Sequence, residues 1–247
     1  MDAVKALYPY ALSEGEGVGT AYEYVAKAEF VRPLVARLGR GRRMLVAGLP
    51  EKYGTSLDFA ILAHRLDAEL QVVDERAGAI ERARRAVDAV QSAGRLRGLR
   101  VTYRMLTALE ELSGLEQHDA VLSCEVLQRV PRASRAALAT VLRSLAPMGA
   151  VFVPNAENAS HLAISGLAGL SMRELRGLFG AATFGYVDMP PFPPGIARSA
   201  EQRAKASTGR LEAIAMRVLN VYCSAERWLP AVVKRRFAHI VCAMWGA

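Results

Sequence analysis

Arg43-Met-Leu-Val-Ala-Gly48, Leu49-Pro-Glu-Lys-Tyr-Gly54-Thr-Ser56, Leu57–Leu66 and Leu70-Gln-Val-Val-Asp74 follow one another almost without interruption. They read as a buried strand, a glycine-bearing loop, a helix and a second strand closed by an acid. In α/β proteins such a strand–turn–helix brings backbone N–H groups against a ligand. An acid at the end of the next parallel strand is placed to accept hydrogen bonds from a ribose diol. Together they point to a nucleoside-containing cofactor, although Gly48 and Gly54 alone also suit a plain turn and Asp74 a helix cap.

The rhythm continues outward. Val101–Leu106, Asp119–Ser123, Ala150–Val153 and Ala182–Val187 read as further strands, and Phe237–Trp245 as a closing one. Helical spacing covers Ala21–Leu38, interrupted by Pro33, then Ala77–Ser92, Ser134–Leu145, Ser171–Phe179 and most of 199–228. Ser171 and Glu174 stand in capping-box register. Residues 1–20 are mixed and glycine-rich, and Pro190–Gly195 breaks regular structure. The alternation predicts an α/β fold with a parallel sheet covered on both faces.

The chain has 247 residues, 52% of them hydrophobic, enough for one large domain with a substantial core. No apolar run reaches the roughly 18 residues needed to cross a bilayer. The start, Met1-Asp-Ala-Val-Lys5, has no basic segment followed by an apolar one. Cys124, Cys223 and Cys242 lack metal-ligand spacing and read as reduced, mostly buried thiols. These features give a cytoplasmic expectation with no transmembrane segment and no metal. Net charge is +8, with arginine clusters at 37–43, 82–85 and 95–104 and a basic run at 234–236. Arg82–Arg85 alternates with Glu81 and Asp88 as on a solvated face, so nucleic acid is possible but not favoured.

Two further segments carry a family resemblance. His118-Asp-Ala-Val-Leu-Ser-Cys-Glu-Val-Leu-Gln-Arg-Val-Pro131 and Leu142-Arg-Ser-Leu-Ala-Pro-Met-Gly-Ala-Val-Phe-Val-Pro-Asn155 resemble the fourth- and fifth-strand regions of the class I S-adenosylmethionine-dependent methyltransferases. With the opening motif and the tail, the resemblance spans roughly residues 40–247. It implies a doubly wound, mostly parallel seven-stranded sheet with an antiparallel terminal strand and helices on both faces. It also implies a single methyltransferase-like domain over 1–247. Its parts would be an N-terminal helical lid (1–40), a cofactor-binding core (41–187), a helical substrate-side insertion (188–234) and a final strand (235–247).

The cofactor implied is S-adenosyl-L-methionine. On the resemblance, Gly48 and Gly54 would approach its methionine and ribose portions, and Asp74 its ribose hydroxyls. Thr107 and Ala108 would lie near adenine, with Ser123, Cys124 and Glu125 around the methionyl end. Three positions depart from the family pattern: Val46 replaces an acid, Leu49–Tyr53 separates glycines that normally stand close, and Thr107 replaces an acid near adenine. Beyond the fifth strand, Pro154-Asn-Ala-Glu-Asn-Ala-Ser-His161 faces the same crevice. Asn155 and Asn158 are candidates for acceptor contact, and Glu157 and His161 for proton removal, against the reading of an exposed polar loop capped at Asn158 or Ser160. Tyr22, with Tyr8, Tyr10 and Tyr24, falls in the lid and suits an apolar or aromatic acceptor.

A sulfonium methyl is already electrophilic, so the implied reaction needs mainly alignment and exclusion of water. The sequence has no Asn-Pro-Pro-aromatic tetrapeptide and no Pro-Cys dipeptide, which shifts weight toward a small-molecule or lipid-like acceptor. An RNA methyltransferase, or a non-catalytic regulatory protein retaining the fold, are the alternatives. Oligomeric state is not encoded in any motif.

Overall fold

A computed structural model describes residues 3–191 and 210–247. Residues 192–195 of the proline-rich break and residues 199–209 of the anticipated helix lie outside the described residues. Among the described residues seven strands are formed: β1 (Arg43–Ala47), β2 (Glu69–Asp74), β3 (Arg100–Met105), β4 (Ala120–Cys124), β5 (Met148–Pro154), β6 (Thr183–Val187) and β7 (Ile240–Trp245). They make one sheet in the order β3-β2-β1-β4-β5-β7-β6. The pairs from β3 through β5 are parallel, whereas β7 runs antiparallel to both β5 and β6. This is the doubly wound, seven-stranded arrangement that the sequence predicts.

The strands of the sheet's middle are apolar without alternation because both of their faces are covered. Along β1, Met44 and Val46 enter one core and Leu45 and Ala47 the other. The first core is closed by α1 (Ala3–Ser13), α2 (Val18–Phe30), α3 (Arg32–Leu38), α4 (Leu57–Arg65) and α5 (Ala77–Ser92). The second is closed by α6 (Arg135–Ser144) and α8 (Met172–Phe179), with α7 (Ala159–Ser165) at the end of β5. The helix α9 (Arg210–Glu226) contributes Met216 and Leu219 to the first core, and α10 (Ala231–Phe237) leads into β7. The edge strand β3 carries Arg100 and Arg104 toward solvent, which blunts edge-to-edge pairing.

Several elements differ from the sequence reading. Residues 3–13 are helical despite Pro9, and α2 starts at Val18, inside the segment read as mixed. Pro33 does not kink a long helix; it sits in the first turn of α3, where its missing N–H costs nothing. Residues 159–165 form α7, whose cap is Asn158, one of the two cap positions read from the sequence. Phe237 ends a helix, and the closing strand begins at Ile240. The anticipated boundary at 234/235 therefore falls inside α10. The capping box of Ser171 and Glu174 is formed in both directions. Among the described residues, no helix is long and apolar enough to cross a membrane.

Candidate functional site at the carboxyl rim

The strand order reverses between β1 and β4, and in open α/β sheets the crevice at that point, beyond the carboxyl ends, is where ligands bind. Asp74 ends β2 there and is fully buried. Its Oδ1 accepts from the backbone N and Nε of Arg76, and its Oδ2 from the Leu49 N–H and Arg76 Nη2, all at 2.8 Å. Arg129 Nη1 and Nη2 stand a further 3.4 Å away, and Arg129 also pairs with Glu75 at 3.1 Å. Burial would raise the Asp74 carboxyl, but hydrogen bonds from Arg76 and the Arg129 charge hold it below the ordinary aspartate range. A carboxylate offers about four lone-pair sites, and this one has them filled from within the chain.

Gly48 has φ +88°, a conformation that favours glycine, and its N–H donates to Val73 O at 2.8 Å. A Cβ at Gly48 would stand 1.9 Å from Val126 Cγ2 and 2.9 Å from Arg129 Nη2. The face that a cofactor would approach is thus covered by the segment following β4. With Asp74 saturated and Gly48 covered, the rim as folded does not fit an adenosyl group; Arg129 and Val126 must first move aside.

The loop between Gly48 and α4 is held from two sides. The Glu51 N–H donates to Glu125 Oε2, and Gln128 Nε2 donates to Glu51 Oε1, both at 2.6 Å. Glu125 itself has φ +53°, strained for a side chain of its size, and burial raises its carboxyl. From the turn between α1 and α2, Glu14 accepts from the Thr55 hydroxyl and from the Leu57 N–H at 2.8 Å. Glu14 thereby caps α4 in place of Ser56, whose φ of +59° leaves its side chain without a capping bond. A Cβ at Gly54 would meet Glu14 Oε2 at 2.7 Å. Thr107 follows Leu106, whose N–H donates to Asp74 O; the Thr107 N–H donates to Glu111 and Ala108 opens a 3-10 turn. Ser123 is buried within β4, in register with Val151. Gly48, Gly54, Asp74 and Glu125 are therefore joined by one loop, with Thr107 and Ala108 beside it.

The segment after β5 does different work from that expected of Asn155 and Asn158. Asn155 is fully buried; its Nδ2 donates to Arg235 O at 2.8 Å and Ala238 O at 2.9 Å, and its Oδ1 accepts from the Glu157 N–H. Asn158 caps α7 through the His161 N–H and donates to Phe237 O at 2.8 Å. Both asparagines thus tie the α10–β7 junction to the end of β5 and have little left to offer an acceptor. Glu157 accepts from the Tyr186 hydroxyl at 3.1 Å and pairs with Arg235 at 2.7 Å.

His161 and Tyr22 belong to a second cluster at the same end of the sheet. The His161 ring stacks on His239 at 4.1 Å, and His239 Nδ1 meets Asp188 Oδ2 at 2.8 Å. The fully buried Tyr22 hydroxyl donates to Glu226. Asp188, at φ +64°, lies within electrostatic reach of Tyr22, Glu226 and His161. Burial and the neighbouring His239 push His161 down to about 4; burial would also lower His239, but Asp188 raises it. His161 is neutral at pH 7 and a weak base.

The unfolded chain protonates His161 near its ordinary 6.5, whereas the folded chain resists to about 4. Its contribution to stability is accordingly full above about pH 6.5 and lost as pH falls toward about 4. His161→Asn is expected to flatten the acid limb of a Tm-against-pH profile over that window. An acid limb parallel to that of the wild type would refute the assignment. His239 has the opposite sign: its contribution is full below 6.5 and lost as pH rises through its raised value.

A third group is absent from the sequence reading. Lys27 is buried between α2 and α4, 3.1 Å from Glu23 and 3.2 Å from Asp58. Its ammonium lies 4.9 Å from the Phe59 ring centre and 5.4 Å from that of Phe152. Burial pushes the neighbouring Cys124 thiol up to about 12, so it is no nucleophile. The available signal was the Glu23–Lys27 spacing of four within an apolar helical face. Beside Lys27 and Asp58 a small cleft, open to solvent, is lined by Leu7, Tyr24, Val31 and Phe59.

No protein-family model matches the sequence, and no curated protein matches it. Solved structures do. The [4+2]-cyclase SpnF superposes with a TM-score of 0.51 at 15% identity, over 88% of this chain and 80% of the other. The methyltransferase domain of bacterial CtHen1 gives 0.50 at 12%, over 91% and 100%. Magnesium protoporphyrin IX methyltransferase of Synechocystis PCC 6803 gives 0.47 at 14%, over 89% and 79%. At these identities the likeness is one of fold.

Proposed function

We propose that this chain, which has the fold of the class I S-adenosylmethionine-dependent methyltransferases, transfers a methyl group from S-adenosyl-L-methionine to a small-molecule or lipid-like acceptor. The observation that supports the reading is the reversal of strand order between β1 and β4, with Gly48 directly after β1 and Asp74 closing β2 at the carboxyl edge. In this reading Gly48, Gly54, Asp74, Thr107, Ala108, Ser123 and Glu125 surround the cofactor once Arg129 has withdrawn. The acceptor lies toward Tyr22 and His161, beneath a lid of residues 1–40. Neutral His161 offers a ring nitrogen for orienting an acceptor rather than for deprotonating it. The setting is the cytoplasm.

A second reading is favoured by one observation. Asp74 is saturated by Arg76, Leu49 and Arg129, so a chain that has given up the cofactor would look as this one does. Fold alone does not choose, because one fold hosts many functions. Isothermal calorimetry with S-adenosylmethionine and S-adenosylhomocysteine separates the two. Saturable binding of either, lost in Asp74→Ala, is the expected result; no heat with either ligand selects the non-catalytic protein.

A further inference from the structure

We propose that α9, the turn that follows it and α10 form a docking surface for an anionic lipid bilayer. Ile214, Val218 and Val221 recur along α9 at spacings of four and three, and Trp228 continues the stripe seven residues on. All four are exposed, as are Val232 and Phe237 on α10, and Trp228 is 77% exposed. The opposite side of α9 is apolar too, since Met216 and Leu219 lie in the core. A helix apolar on both sides is expected to be covered on both, so the outer stripe calls for an occupant.

Charge decides which occupant. Between residues 213 and 237 stand Arg217, Arg227, Lys234, Arg235 and Arg236, against a single acid, Glu226. Glu226 is turned inward onto Tyr22 and is buried. Arg235 is neutralised by Glu157 of the post-β5 segment; Arg217, Arg227 and Arg236 are exposed, and half-buried Lys234 donates to Arg227 O. The Arg227 guanidinium lies 5.2 Å over the Trp228 ring, which pairs a headgroup-seeking cation with an interfacial aromatic. A second copy placed on the same face would set cation against cation. RNA would use the arginines but leave Ile214, Val218 and Val221 uncovered. An anionic bilayer satisfies both halves: apolar side chains enter the acyl boundary while arginine and lysine meet the headgroups.

The surface is independent of the proposed methyl transfer and is tested without cofactor. Of the two tryptophans, Trp245 is buried and stacked on Phe179, so a change in emission reports Trp228. The full chain is mixed with phosphatidylcholine vesicles, with and without phosphatidylglycerol, at low and high salt. Expected are a blue shift and co-sedimentation with the anionic vesicles only, both reversed by salt. Arg227→Gln and Arg236→Gln should each weaken association about fivefold. Val218→Ser/Val221→Ser should abolish it with circular dichroism unchanged. The proposal is overturned if anionic vesicles neither shift nor sediment the protein, or if association is indifferent to phosphatidylglycerol. It is equally overturned if light scattering shows a dimer that Val218→Ser/Val221→Ser dissociates, or if RNA displaces vesicles from the wild type.

Discussion

Asp58→Ala is expected to destabilise the chain by about 3–5 kcal/mol, the range for removing one partner of a buried ion pair. Lys27 lies between α2 and α4 with Glu23 and Asp58 as its counter-charges, against the Phe59 and Phe152 rings. Burial opposes the charged form of Lys27 most strongly, but Asp58 and its other neighbours, Glu23 among them, together outweigh it and raise the ammonium above its ordinary value. Without Asp58, Glu23 is the paired carboxylate left to compensate. Lys27→Met should cost less, because the group left behind can take up a proton: burial already raises the Asp58 carboxyl. The double variant Lys27→Met/Asp58→Ala should therefore recover part of the loss, a coupling visible in urea unfolding followed by circular dichroism. An effect below about 1 kcal/mol for Asp58→Ala, the size of an exposed pair, would contradict the burial of the cluster.

The same cluster shows how far the sequence could be read. The opening strand, loop and acid were legible because their signals are local: an apolar run, glycines at a turn, an acid ending the next run. The capping box at Ser171 was legible for the same reason. Helix α1 was not, since Pro9 and the glycines after Ser13 point locally away from helix while packing of Val4, Leu7, Tyr8 and Ala11 decides the outcome. Lys27 carried no signal of its own, because its second partner, Asp58, is thirty-one positions away.

The post-β5 asparagines find their partners for a topological reason. Polar residues beyond a carboxyl edge normally face the crevice, but β7 enters the sheet beside β5 and carries the carbonyls of residues 235–238 to that edge. Asn155 and Asn158 are bound to groups about eighty residues downstream, and no local pattern announces such a partner. Arg129 was hidden differently. It stood inside the segment that carried the resemblance, and nothing in Val126-Leu-Gln-Arg-Val-Pro131 says that its guanidinium folds back over Asp74.

Arg129 is where fold and candidate site pull apart, and removing it should strengthen ligand binding. Arg129→Ala is expected to tighten S-adenosylhomocysteine binding about tenfold, equivalent to about 1.4 kcal/mol. Hydrogen bonds to charged groups contribute about 1.5–3 kcal/mol, and the contacts of Arg129 with Asp74, at 3.4 Å, are longer than the 2.8 Å bonds from Arg76. Arg129 is therefore the partner that a ribose diol displaces at least cost, although Val126 still stands against Gly48. Asp74→Ala in the same titration should abolish binding, because it removes the acceptor rather than the competitor. If Arg129→Ala binds no better than the wild type while Asp74→Ala still abolishes binding, the ribose enters without disturbing the arginine. If neither the wild type nor Arg129→Ala binds, the internal ion pair has replaced the ligand, and the fold persists here without its cofactor.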